Sequence, residues 1–146
     1  MSAYVFCQIA AGDLPSWIVM SNEHVVAFLD KKPATRGHML IVTREHRRDL
    51  WALLPNEATA AMSAARQLAH AARSALGATG MNLKQNNGEE AGQDVFHFHL
   101  HVIPRYPDDT VLPGCVWGIP PWRVPSLSAS DQDQTADAIR ENLGSG

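Results

Sequence analysis

Cysteine is nearly absent. Cys7 and Cys115 are the two in 146 residues, too few for a disulfide framework, so reduced thiols in a cytoplasm are expected. No apolar run approaches the roughly 20 residues of a membrane-spanning helix, and no charged-then-apolar leader opens the chain, so no membrane partner is expected. A cationic excess is missing too. Twelve Lys and Arg stand against fifteen Asp and Glu, a balance that argues against nucleic acid as a partner. Repeats and low-complexity tracts are not found. What remains is a weakly acidic chain, 45% hydrophobic and of one-domain size. A chain this long buries roughly two-thirds of its unfolded surface, so it needs no metal or disulfide to fold.

Residues 4 to 9 fit a short helix or turn, closed by Gly12-Asp13-Leu14-Pro15. Trp17 to Met20 and Val25 to Leu29 read as a hairpin around Ser21-Asn22-Glu23-His24, and His38 to Thr43 as a third strand. A long helix follows Leu54. Pro55 and Glu57 suit its first turn, and Ala58, Met62, Ala65, Leu68, Ala72 and Leu76 form a stripe at helical spacing. Gly77 is placed to end it. Gly80 to Gln85 reads as a fourth strand. Pro107, Pro113, Pro120, Pro121 and Pro125 forbid regular structure over much of the next stretch, where Trp117, Ile119 and Trp122 need cover. A short helix from Ser130 to Leu143 is predicted, with Ser130 as its cap. Hairpin, strand, long helix and two more strands give an α+β fold with a five-stranded antiparallel sheet, one long helix and a short C-terminal helix.

The stretch with most chemistry is Val95 to Pro104. His97, His99 and His101 alternate with Phe96, Phe98, Leu100 and Val102, and period-two alternation predicts a fifth strand with three imidazoles on one face. Pro104 is expected to end it. Two chemistries fit three aligned imidazoles: nitrogen ligands for zinc, or nucleophilic catalysis with one ring attacking and the others setting its tautomer. Upstream, Asn86 to Gln93 is rich in turn residues and amides, which suit an anionic substrate better than a cation.

These residues resemble a known family. His97-Phe98-His99-Leu100-His101-Val102-Ile103, preceded by Gly92-Gln93 and, upstream, by Asn86, Gly37-His38, Asp30, Phe6 and Ile9, is similar to the signature of the histidine triad (HIT) nucleotide hydrolases and transferases. The bacterial type is the nearest in look, with the nucleoside phosphoramidase branch closest. The resemblance implies a HIT domain over residues 1–106, a Pro/Trp-rich extension over 107–146, and a homodimer whose sheets join with the long helix at the interface.

The resemblance also implies roles. His99 is the expected nucleophile on the α-phosphorus of a purine nucleotide, AMP or GMP, through a nucleotidyl-histidine intermediate. His101 serves the phosphate or leaving group, His97 orients the triad, and His38 is the fourth histidine. Asn86, Gln93 and the backbone around Asp94 and Val95 match the phosphate-holding segment, Asp30 the ribose carboxylate, and Phe6 and Ile9 the base cleft. Asp94 departs from the small hydroxyl residue common there, and its carboxylate would have to turn away from phosphate.

Some relatives hold a structural zinc through two cysteines three apart plus histidines. Here Tyr4 stands where the first would be, so Cys7, His46 and His97 form an incomplete set and neither metal nor cofactor is expected. The expected reaction is hydrolysis of nucleoside 5′-phosphoramidates or related nucleotidyl compounds. Three alternatives stand beside it: a dinucleoside polyphosphate hydrolase, a nucleotide-binding protein with weak catalysis, and a metal-dependent enzyme that uses the histidines as ligands.

Overall fold

The computed structural model describes residues 3–107, 109 and 126–144. Cys115, Trp117, Ile119 and Trp122 lie outside them, with about half of the expected Pro/Trp-rich extension. In chain order the elements are α1 (Ala3–Ala11), β1 (Ile18–Ser21), β2 (Val25–Leu29), β3 (Met39–Thr43), α2 (Pro55–Leu76), β4 (Gly80–Lys84), β5 (His99–Arg105) and α3 (Ala129–Glu141). The five strands form one antiparallel sheet in the order β1-β2-β3-β5-β4. This is the α+β architecture expected from the alternation of strands and helices.

Alternation assigns the two faces. Val25, Ala27, Leu29, Met39, Ile41, Leu100 and Val102 turn toward α2 and pack on Ala61, Ala64, Ala65, Leu68, Ala71 and Ala72. Their neighbours Val26, Phe28, Leu40 and Val42 turn the other way and are covered by Phe6, Ile9 and Ala10 of α1. Alanine dominates the buried stripe of α2, so the helix lies close to the sheet. Burying Leu68 completely contributes about 1.5–3 kcal/mol. The stripe is rotated from the one predicted: Met62 is 57% exposed, and Ala58 too faces outward. Composition alone could not separate the many alanines of that helix.

Several boundaries also differ from the sequence reading, most of them by a residue or two. β5 begins at His99, because the Phe98 N–H donates to the Arg47 carbonyl at 2.6 Å instead of joining the ladder. Pro104 does not end the strand; it lies opposite Met81 in the register with β4, one residue before the end. The cap of α3 is Ser128, not Ser130: its hydroxyl accepts from the Asp131 N–H while the Asp131 carboxylate accepts from the Ser128 N–H.

Two local features position the site. Gly37 has φ +83°, and a Cβ there would lie 2.6 Å from Leu76 Cδ1, so the tight entry into β3 and His38 needs glycine. At the start of α2, the buried Glu57 accepts from the Leu54 N–H at 2.8 Å and from Arg47 Nε at 2.9 Å. That pair ties the helix to the segment whose carbonyl holds Phe98.

Candidate functional site

β5 carries His99 and His101 on the α1 face of the sheet, with ring centroids 5.1 Å apart. His101 lies opposite Leu40 in the register with β3, and His99 opposite Val42. The expected single row of three is broken at its start. His97 precedes the strand, fully buried, its ring edge-on to His46 at 5.1 Å and to Phe6 at 6.0 Å. Phe96 does not enter the core either: the Arg48 guanidinium lies over its ring at 4.3 Å.

The hydrogen bonds fix which nitrogen of each ring carries a proton. His99 Nδ1 lies 2.8 Å from the His97 carbonyl. A carbonyl only accepts, so Nδ1 is the donor and the neutral ring keeps a bare lone pair on Nε2. His97 Nε2 donates to the Thr43 carbonyl at 2.8 Å, which turns its Nδ1 toward Cys7 Sγ at 3.4 Å. On the other side, the Ala34 N–H donates to His38 Nδ1 at 2.9 Å, and His38 Nε2 lies 2.9 Å from His101 Nδ1. His38 therefore donates from Nε2, and the neutral His101 ring presents its remaining N–H from Nε2.

Burial favours the neutral form of three of these rings, His38, His97 and His101. Burial pushes His38 down to about 4 from the ordinary 6.5. Burial, helped by His38, pushes His101 down to about 3. His97 is lowered by burial as well. Asp30 moves the opposite way, its carboxyl raised by burial against the Lys32 N–H that it accepts. Its Oδ2 is 3.5 Å from His38 Nε2.

Upstream of His99 the loop leaves several N–H groups unpaired. Among the described residues, the backbone N–H groups of Asp94, Val95, Phe96 and His97 have no acceptor. Such a run suits an anion's oxygens. Gln93 does something else. Its buried amide donates to the Arg48 and Val95 carbonyls at 2.7 and 3.1 Å and accepts from the Gly88 N–H, so the side chain clasps the loop. Asn86 is half-buried, with Nδ2 donating to the Gly92 carbonyl at 3.3 Å. Asp94 is exposed and Val95 is in the core beside Phe6.

A cleft of about 770 Å³ opens beside the histidines. Phe6 and Ile9 line it, together with Phe28, Leu40 and Asp30. Phe6 reaches His99 at 5.3 Å between centroids, so one side chain touches both the apolar cleft and the His99 ring. Trp17 of the β1 approach and Asp133 and Arg140 of α3 complete it; the sequence reading did not place them there. Leu40 was findable, because alternate residues of β3 share the histidine face. The α3 residues carried no local signal.

Cys7 Sγ, His46 Nδ1 and His97 Nδ1 lie within 4.8 Å of one another, with sulfur–nitrogen separations of 3.5 and 3.4 Å. Those separations match three corners of a zinc tetrahedron, whose ligand atoms sit about 3.3–3.8 Å apart. The described residues offer no fourth donor. Asp30, His38 and His101 also cluster, but their 2.9 Å nitrogen–nitrogen contact is a hydrogen bond.

A family model described as the HIT domain matches residues 11–108. The chain is 42% identical over 113 residues to "Protein hit" of Bacillus subtilis, spanning 77% of each. It is 32% identical over 140 residues to the adenylylsulfatase HINT3 of Arabidopsis thaliana, covering 95% of this chain and 68% of that protein. Among solved structures, a zinc-bound histidine triad family protein from Mycobacterium smegmatis superposes with a TM-score of 0.79 at 32% identity, over 97% of this chain and 93% of that one.

Proposed function

This chain belongs to the HIT family, and on that premise we propose that it hydrolyses nucleoside 5′-phosphoramidates or related purine nucleotidyl compounds through a nucleotidyl intermediate on His99. One observation carries the reading. The His97 carbonyl takes the proton-bearing Nδ1 of His99, turning a bare Nε2 outward from that bond beside a run of unpaired backbone N–H groups.

In the proposed reaction, His99 Nε2 attacks the α-phosphorus while the N–H groups of Asp94 to His97 hold its non-bridging oxygens. The phosphorus–nitrogen bond breaks, and the amine leaves with the electron pair and takes a proton from solvent. His101 Nε2–H, aimed by His38, hydrogen-bonds the leaving group. Water then cleaves the phosphorus–imidazole bond and the nucleoside monophosphate departs. The base lies between Phe6, Ile9 and Phe28, and Asp30 accepts from the ribose hydroxyls. His97 is a positioning residue that acts through its carbonyl, and Asn86 closes the phosphate loop. The Asp94 side chain is exposed, while its N–H serves the phosphate.

The homodimer belongs to the same proposal. β4 is a sheet edge whose Leu83 is 44% exposed, and Leu83, Met81 and Met62 share one shallow apolar groove with α2. An open apolar edge of this kind invites pairing with a second copy.

Replacing His99 with Gly tests the reaction. AMP release from adenosine 5′-phosphoramidate should stop while AMP binding, read by calorimetry, persists. Near-normal turnover by the variant would remove His99 as the nucleophile. Tight AMP binding by the parent with no turnover on phosphoramidates or dinucleoside polyphosphates would favour a binding protein instead.

A further inference from the structure

We infer that Gln132 of α3 is a positioning residue for ribose recognition, holding Asp30 in the one orientation in which its carboxylate can receive the sugar hydroxyls. The inference rests on the nucleotide-site reading above and adds to it an element far away in the chain.

Asp30 follows the last residue of β2 and opens the loop to β3. Three of its groups are tied. Its N–H donates to the His38 carbonyl at 2.8 Å, its Oδ1 accepts from the Lys32 N–H at 2.8 Å, and its carbonyl accepts from Gln132 Nε2 at 3.1 Å. The first two are local consequences of the turn. The third comes from 102 residues away and is what fixes the peptide plane that follows the carboxylate.

Gln132 is 3% exposed, and its Oε1 has no partner among the described residues. A buried, unpartnered amide oxygen costs stability, and methionine would fill the same space without that cost. The residue is therefore explained by its N–H, and that N–H goes to Asp30. The helix around it is built to keep it in place. Ser128 and Asp131 cap the turn from which Gln132 projects, and Trp17 Nε1 donates to Asp133 Oδ1 at 2.7 Å on the adjacent cleft wall. Ala136 and Ile139 anchor the helix in the main core.

A merely structural glutamine and a positioning one differ in a measurable way. Binding of AMP and of 2′-deoxy-AMP to the full chain, by calorimetry, gives the ribose preference, and the parent should favour AMP. In Gln132→Met the melting temperature should hold or rise. Affinity for AMP should fall about five- to tenfold, the worth of roughly one pre-organising hydrogen bond, with affinity for 2′-deoxy-AMP unchanged. With adenosine 5′-phosphoramidate the loss should appear in KM and leave kcat within about twofold. Gln132→Asn, whose amide falls one methylene short of the carbonyl, should lose the same preference and serves if the methionine variant does not fold. In an Asp30→Ala background, Q132M should have no further effect on the preference.

Equal loss for both nucleotides, or an unchanged preference, overturns the inference. If the parent prefers AMP and Asp30→Ala abolishes that preference while Q132M leaves it intact, only Gln132 is refuted. If the parent binds both nucleotides alike, the ribose role of Asp30 fails and Gln132's role with it.

Discussion

His38 donates from Nε2 to Nδ1 of His101 across 2.9 Å, and the Ala34 N–H at its far nitrogen leaves it no other neutral tautomer. This bond decides which way the third histidine of the triad presents its proton. His38→Ala should therefore free His101 to rotate and to exchange tautomers. The expected result is a fall in kcat of about 10- to 100-fold, the usual size of losing an orienting partner, with AMP affinity changed less. An assay on adenosine 5′-phosphoramidate reads it; an unchanged kcat would mean that His101 needs no orientation.

The same two rings make stability depend on acidity. Each titrates at about 6.5 when unfolded, but His38 at about 4 and His101 at about 3 when folded. Below pH 6.5 the unfolded chain binds protons that the folded chain refuses. Stability is thus full above 6.5, falls as pH drops, and the His38 contribution is gone below about 4. The lowering of His38 alone, from 6.5 to about 4, corresponds to about 3 kcal/mol. Asp30, whose carboxyl is raised, works in the opposite sense. Urea unfolding at pH 7.5, 6 and 5 should show the midpoint falling steadily, and the H38A variant should show a flatter slope. A midpoint independent of pH would refute the assignment of neutral buried imidazoles.

How much of this was legible depends on range. β2 coincides with the run Val25 to Leu29, and α2 starts at Pro55 and stops before Gly77, since turn chemistry and periodicity mark those ends locally. His99 and His101 share a face because alternation dictates it. His97 escaped that logic: a single tertiary bond, Phe98 N–H to Arg47 carbonyl, pulls it out of the strand. The tautomer of every ring likewise depends on a carbonyl or N–H that no spacing rule reveals. The approach of α3 to Asp30 spans most of the chain, and nothing near Gln132 signals it.

Cys7, His46 and His97 supply three corners of a tetrahedron, and Tyr4 lies one helical turn before Cys7 on the same face of α1. Tyr4→Cys should supply the fourth donor. The variant is expected to retain one zinc per chain through dialysis against a moderate chelator, while the parent loses it, because closed structural zinc sites use four protein ligands. Elemental analysis with a chromophoric chelator reads both proteins. Retention by the parent would show that three donors suffice here, and failure of the variant would place residue 4 out of reach.

The groove of Met62, Met81 and Leu83 supplies the test of assembly. Edge strands that stay single are commonly protected by inward charges or a covering loop, yet β4 exposes Leu83 beside an exposed Met62 on α2. A second copy placed there would bury both side chains and continue the ladder across a twofold axis. Leu83→Glu puts like charges face to face at that axis in two copies. It should convert the dimer to monomer, a halving of mass by sedimentation equilibrium. The melting temperature should fall, since burial at the interface is lost. If Leu83→Glu leaves the mass unchanged and dimeric, pairing must run through another face, and if the parent itself sediments as a monomer, the proposed dimer is wrong.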